Sequence, residues 1–239
     1  MILMSTPQRR TLLGAWVTVL LATAVGCGGA GNDGEEGRAE VSLPLFGGTV
    51  PADGPAIDLT PMRETAGRDV VMIGDSITVA STPALEAAAD TLGVELRIYA
   101  EVGRRISVGG TPEAGVDVLE GAIDQGVPDL FVFALGTNDV GQYETEDEYA
   151  GEIDRILALV PDRIPVAWVN IYLTADLDES ARFNAALLSE LGSRGNATIA
   201  RWSNVASEDG VLSDGIHPTD EGTVEFTDLV STEIANWLG

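Results

Sequence analysis

One histidine, His217, and one cysteine, Cys27, occur in 239 residues, and all thirteen basic side chains are arginine. Schiff-base chemistry on lysine and a P-loop are therefore excluded. So are an intrachain disulfide, a zinc finger and an HExxH metalloprotease helix. A serine chemistry is open to the residues present. Ser76 closes Gly74-Asp75-Ser76 directly after the apolar run Val70–Ile73, where a strand-to-helix turn would expose its hydroxyl. That hydroxyl is a poor nucleophile at neutral pH without a base in hydrogen-bond reach, and His217 is the one imidazole able to serve. Asp214, three residues earlier, is placed to accept from Nδ1 and leave Nε2 for the serine. Gly215 gives the turn room, and Pro218 holds His217 extended at a helix entrance. Each piece alone has a second reading: Ser76 as a helix N-cap, and Asp214-Gly215 as a surface turn with an incidental histidine. Asp75 is assigned to holding the turn.

The elements that must position these residues alternate. Short apolar, β-branched or aromatic runs at Val70–Ile73, Val94–Tyr99, Leu130–Leu135, Val166–Tyr172 and Ala197–Trp202 predict five strands. Helical spacing is predicted at Pro83–Leu92, around Val116, Leu119 and Ile123, from Tyr149 to Val160, from Phe183 to Leu191, and from Phe226 to Trp237. The alternation predicts an α/β fold, a three-layer α/β/α sandwich with a five-stranded parallel sheet. Ligands bind such sheets beyond the carboxyl ends of the strands. Polar blocks follow the runs there four times: Gly74-Asp75-Ser76, Gly103, Gly136-Thr137-Asn138-Asp139 and Asp214-Gly215-Ile216-His217-Pro218.

In this order the four blocks resemble the SGNH/GDSL hydrolases, whose serine, glycine, asparagine and histidine fall here at Ser76, Gly103, Asn138 and His217. The resemblance covers about residues 69 to 239. Val102-Gly103-Arg104, Leu135-Gly136-Thr137-Asn138, Val169-Asn170 and Asp214 to Pro218 look most like the extracellular domains of peptidoglycan O-acetyltransferases and carbohydrate O-acetylesterases. It implies a flavodoxin-like sheet, and an oxyanion site made of the Ser76 and Gly103 N–H groups with the Asn138 amide. The expected activity is a serine esterase hydrolysing small acyl esters, acetyl on carbohydrate included, without metal or organic cofactor. Transfer of the acyl group to a sugar hydroxyl and a non-catalytic carbohydrate-binding role are the alternatives. Arg104 and Asn170 are candidate substrate contacts. Activity is expected to rise as His217 deprotonates, near 6.5 for a free imidazole, with no second histidine or lysine to produce such a limb.

The formal charge of −25 argues against nucleic acid, whose phosphates would be repelled. Arg9 and Arg10 precede an uncharged run from Leu12 to Val25 that reads as a signal-peptide core, over residues 1–26. Ala24-Val25-Gly26-Cys27 resembles a bacterial lipobox, which implies lipidation of Cys27 and anchoring at the outer face of the cytoplasmic membrane. A secreted protein with an incidental cysteine is the other reading, and the general and twin-arginine export routes both remain open. Residues 27–67, rich in glycine and proline, read as a tether, and the folded domain as 68–239. The acidic run Glu144–Glu148 is read as a helix start rather than a calcium site.

Overall fold

The apolar runs that precede the polar blocks become the strands of one sheet. A computed structural model describes residues 68–238. Strands β1 (Asp69–Gly74), β2 (Glu95–Ala100), β3 (Leu130–Ala134), β4 (Val166–Val169) and β5 (Ala197–Ala200) pair in parallel in the order β2-β1-β3-β4-β5. Helices α1 (Ser76–Leu92), α2 (Gly115–Gln125), α3 (Glu146–Leu157), α4 (Leu177–Arg194), α5 (Trp202–Ala206) and α6 (Asp220–Leu238) cover its two faces.

Alternate side chains of each central strand enter opposite cores. Val71, Ile73, Phe131, Phe133 and Trp168 pack with Leu119 of α2, Ile153 of α3 and Phe183 of α4. Val70, Met72, Val132, Ala134 and Val169 pack with Leu85 of α1 and Phe226 and Val230 of α6. Burial on both faces explains why β1, β3 and β4 read as unbroken apolar runs rather than as alternating ones. The strand order turns back at β1, which lies between β2 and β3. A crevice at such a switch point is where α/β sheets bind ligands. Ser76 follows β1 there, and Asn138 follows β3.

Several boundaries differ from the sequence pattern, three of them near the site. Helix α1 begins at Ser76, seven residues before Pro83, because Asp75 caps it by accepting from Ile77 N–H at 3.0 Å. Pro83 is tolerated inside this helix: the carbonyl it leaves unpaired belongs to Val79, on the exposed side at 39% exposure, where water can serve. The fourth strand stops at Val169 rather than Tyr172, and the fifth stops at Ala200. Trp202 instead heads α5, its ring edge-on to Phe226 at 5.2 Å. The helix-start reading of the acidic run holds, since Thr145 and Glu148 form a reciprocal capping box at the start of α3. No helix among the described residues is long and apolar enough to cross a membrane. The expected signal segment, Cys27 and the tether lie outside the described residues.

Candidate active site

The turn after β1 and the turn before α6 meet although 141 residues separate them. Ser76 Oγ and His217 Nε2 are 3.0 Å apart. His217 Nδ1 lies 2.8 Å from Asp214 Oδ2. With Nδ1–H donating to the aspartate, Nε2 is free to accept from the serine.

The turn holding the imidazole is built from its own sequence. Asp214 Oδ1 accepts from the backbone N–H groups of His217 at 2.8 Å and Ile216 at 3.0 Å. Those bonds, with the ring hydrogen bond, hold the Asp214 carboxyl down at about 2, so it stays ionised wherever an imidazole titrates. Gly215 sits at φ 88°, and a Cβ there would strike Thr174 Oγ1. This close approach lets Thr174 N–H donate to Gly215 O at 3.0 Å and ties the turn to the segment after β4. Pro218 is not the first residue of α6. It bridges Leu212, while Thr219 accepts from Gly222 N–H at the helix start. The dyad is open to solvent: the His217 and Asp214 side chains are 42% and 56% exposed.

Of the three groups expected to bind an oxyanion, Asn138 is hydrogen-bonded to Asp75, the residue before Ser76, and to Arg104, the residue after Gly103. Ser76 is the first residue of α1, so its N–H has no acceptor within the helix and sits at the positive end of the dipole. Gly103 adopts φ 82° in the loop after β2. Neither N–H has a hydrogen-bond partner among the described residues. The Asn138 amide is already engaged, donating to Arg104 O at 3.1 Å and to Asp75 Oδ2 at 3.3 Å. A developing oxyanion would have to take one of those hydrogens.

Two expected substrate contacts are corrected. Arg104 is only 5% exposed, and its guanidinium donates to Tyr99 O at 2.7 Å, Glu113 O at 3.0 Å, Gly74 O at 3.2 Å and Glu101 at 3.4 Å. It ties the loop after β2 to the ends of β1 and β2 instead of facing a substrate. Asn170, 7% exposed, spends its amide on α5, donating to Ser203 Oγ and accepting from Ser203 N–H, both at 2.8 Å. It caps rather than contacts. A cavity of about 10 Å³ beneath the site is lined by Asp75, Ile77, Ala134, Thr137, Asn170 and Trp202. It has room for about one water molecule.

Two buried acids have titration behaviour that the sequence pattern did not single out. Asp75 and Asp139 are 1% and 0% exposed. Burial pushes each carboxyl up from 3.8 to about 6, against the Ile77 N–H at Asp75, and against the Ile106 N–H and Arg105 at Asp139. An acid limb in activity therefore has candidate owners besides His217.

Residues 72–223 match the GDSL-like lipase/acylhydrolase family. The chain belongs to that family. It is thus a serine esterase of the SGNH/GDSL superfamily. No curated protein sequence matches this acylhydrolase. Among solved structures it is similar to the C-terminal catalytic domain of Streptococcus pneumoniae peptidoglycan O-acetyltransferase A, with 19% identity, a TM-score of 0.59, and coverage of 72% of this chain and 95% of that one. A lipase/acylhydrolase from Enterococcus faecalis has 15% identity and a TM-score of 0.60, covering 71% and 96%. A family 3 carbohydrate esterase from Clostridium thermocellum has 13% identity and a TM-score of 0.56, covering 72% and 100%. These likenesses establish the fold of the acylhydrolase.

The buried acids make a stability prediction. A carboxyl whose folded pKa is raised takes up its proton first in the native state, so its stabilising share is full below the unfolded value and is lost as pH rises through about 6. Urea unfolding should show greater stability at pH 5 than at pH 7.5, by about 1–3 kcal/mol in total. Asp75→Asn should shrink the difference. Greater stability at pH 7.5 would show that burial does not push these carboxyls up.

Proposed function

We propose that this esterase hydrolyses short acyl esters, acetyl groups on cell-envelope carbohydrate in particular, through an acyl-enzyme on Ser76. The observation that carries the reading is the continuous hydrogen-bonded line from Ser76 Oγ through His217 to Asp214. His217 Nε2 takes the hydroxyl proton as Oγ bonds to the ester carbon. The carbonyl oxygen gains negative charge facing the Ser76 and Gly103 N–H groups, with Asn138 as a third donor. The C–O bond to the alcohol then breaks as imidazolium returns the proton to the leaving oxygen. Water repeats the sequence on the acyl-enzyme and releases the acid.

The cavity lined by Asp75, Thr137 and Asn170 has room for about one water. The carbohydrate half of the proposal draws on the named activities of the similar pneumococcal and clostridial proteins. The same acyl-enzyme could pass its group to a sugar hydroxyl, and the solvent-exposed His217 leaves room for such an acceptor. The reading also places the mature enzyme at the outer face of the bacterial cytoplasmic membrane through a lipid on Cys27, from Arg9, Arg10 and Ala24-Val25-Gly26-Cys27.

Ser76→Ala and His217→Ala should each remove p-nitrophenyl acetate turnover while leaving far-ultraviolet circular dichroism unchanged. Asp214→Asn should lower kcat/KM by about 10², less than the roughly 10⁴ seen where the aspartate of such a triad is buried. Near-parental activity in purified Ser76→Ala would end the acyl-enzyme reading. Across p-nitrophenyl esters of rising chain length, kcat/KM should be highest at about two to four carbons, as the short-acyl proposal requires. A maximum at long chains would contradict the short-acyl proposal. Product analysis with a sugar acceptor decides between hydrolysis and transfer. Detergent partitioning of the full-length protein should be lost in Cys27→Ser; unchanged partitioning removes the lipid anchor.

A further inference from the structure

Asp139 is fully buried, carries a carboxylate, and touches neither Ser76 nor His217. Isolating such a group from water is costly unless it is hydrogen-bonded. Both its oxygens are spent on the loop that follows β2. Oδ1 accepts from Arg105 Nε at 3.2 Å, and Oδ2 accepts from Ile106 N–H at 3.2 Å. Arg105 is itself steadied by Tyr143, donating to its hydroxyl at 3.3 Å with the guanidinium 5.8 Å from the ring centre. The next residue along, Ser107, bonds to Glu152 of α3.

This loop, from Glu101 to Ala114, has no helix or strand of its own, and it exposes Val102 and Val108 on its outer side. It carries Gly103. Arg104 fixes one flank to the carbonyls of Gly74 and Tyr99, on the β1 and β2 side. The other flank reaches β3 through consecutive residues after that strand: Asn138, whose amide donates to Arg104 O, and Asp139, which holds Arg105 and Ile106. Asn138 and Asp139 lie in one short 3₁₀ turn, Thr137–Asp139, with Asp139 N–H donating to Gly136 O at 2.9 Å. Moving the loop relative to β3 would therefore move the Gly103 N–H relative to the Asn138 amide.

We propose that Asp139 is a positioning residue for the esterase: by clamping Arg105 and Ile106 to the turn after β3, it fixes the spacing between two oxyanion donors, Gly103 N–H and Asn138 Nδ2. The inference rests on the reading of Ser76 as nucleophile. It assigns the buried acid a task in the transition state without contact to the reacting atoms. Donors aimed at a developing oxyanion work only when preorganised, and loss of a whole donor costs about 10²–10³ in rate. A misplaced one should cost part of that.

Asp139→Asn replaces one acceptor by an NH₂ group, so either Arg105 or Ile106 loses its partner. With p-nitrophenyl acetate, kcat should fall about 10–10²-fold with KM within about twofold. The second-order rate of Ser76 phosphonylation by p-nitrophenyl methylphosphonate should fall by a similar factor, because that attack also develops charge on oxygen. A solely structural role would lower the melting temperature without moving these two rates together. Arg105→Gln, which keeps the Ile106 bond, should show the same pattern at several-fold, and it decides the matter if Asp139→Asn does not fold. Folded Asp139→Asn with kcat within twofold of the parent, a loss confined to KM, or unchanged kcat in Arg105→Gln would overturn the proposal. Ser76→Ala assayed alongside separates the two readings. Turnover in that variant defeats the nucleophile assignment, whereas an inactive Ser76→Ala with unimpaired Asp139→Asn defeats the positioning role alone.

Discussion

The 3.0 Å contact between Ser76 Oγ and His217 Nε2 joins chain positions 141 residues apart, and much of the architecture serves to bring those atoms together. A serine and an imidazole that far apart in sequence meet only if their turns are carried on rigid neighbours. Parallel pairing of β1 with β3 and of β3 with β4 puts the carboxyl ends of the strands on one edge. Helices α1 and α6 pack on the same face, so Ser76 at the start of one and the histidine turn before the other lie side by side. The final link, from Thr174 after β4 to Gly215, locks the histidine turn to the sheet edge.

Electrostatics at this edge run against the composition. A chain of formal charge −25 buries Asp75, next to Ser76 in sequence, and Asp139, in the turn after β3, and each is pushed up to about 6 by loss of water. Burial raises the cost of their charge, and the hydrogen bonds they accept lower it. Those bonds fasten the strand ends together: Asp75 holds Ile77 and Asn138, and Asp139 holds Arg105 and Ile106, while Arg104 donates to Gly74 and Tyr99. The exposed Asp214 does the opposite, its carboxyl held at about 2 by donors from its own turn. The acids in and around the site thus differ in task because they differ in burial.

The strands were legible because a parallel sheet covered on both faces needs uninterrupted apolar runs, and few other segments of this chain supply them. The polar blocks were legible because chemistry sits just past the strand ends. What escaped depends on information absent from local pattern. The first two turns of α1 contain Ile77, Thr78 and Val79, which favour strands by type, yet they are helical, capped by Asp75 and with Ile77 packed in the core. Trp202 continues an apolar run by type but turns away to fill the space beside Phe226. An arginine beside Gly103 looks like a substrate contact until its guanidinium is seen directed at three backbone carbonyls. Asp139 looks like a turn residue, since sequence records its charge and not its burial. That burial also undoes the expectation that His217 alone could produce an acid limb in the activity profile.

Ser76 Oγ is the atom that carries the acyl group in the proposed reaction. The most direct measurement is rapid acid quench of the enzyme during turnover of p-nitrophenyl acetate, followed by peptide mapping by mass spectrometry. One acetyl group on the peptide containing Ser76, missing in the Ser76→Ala variant, is the predicted result. Turnover with the acetyl group on another side chain, or an equal label in Ser76→Ala, would contradict it.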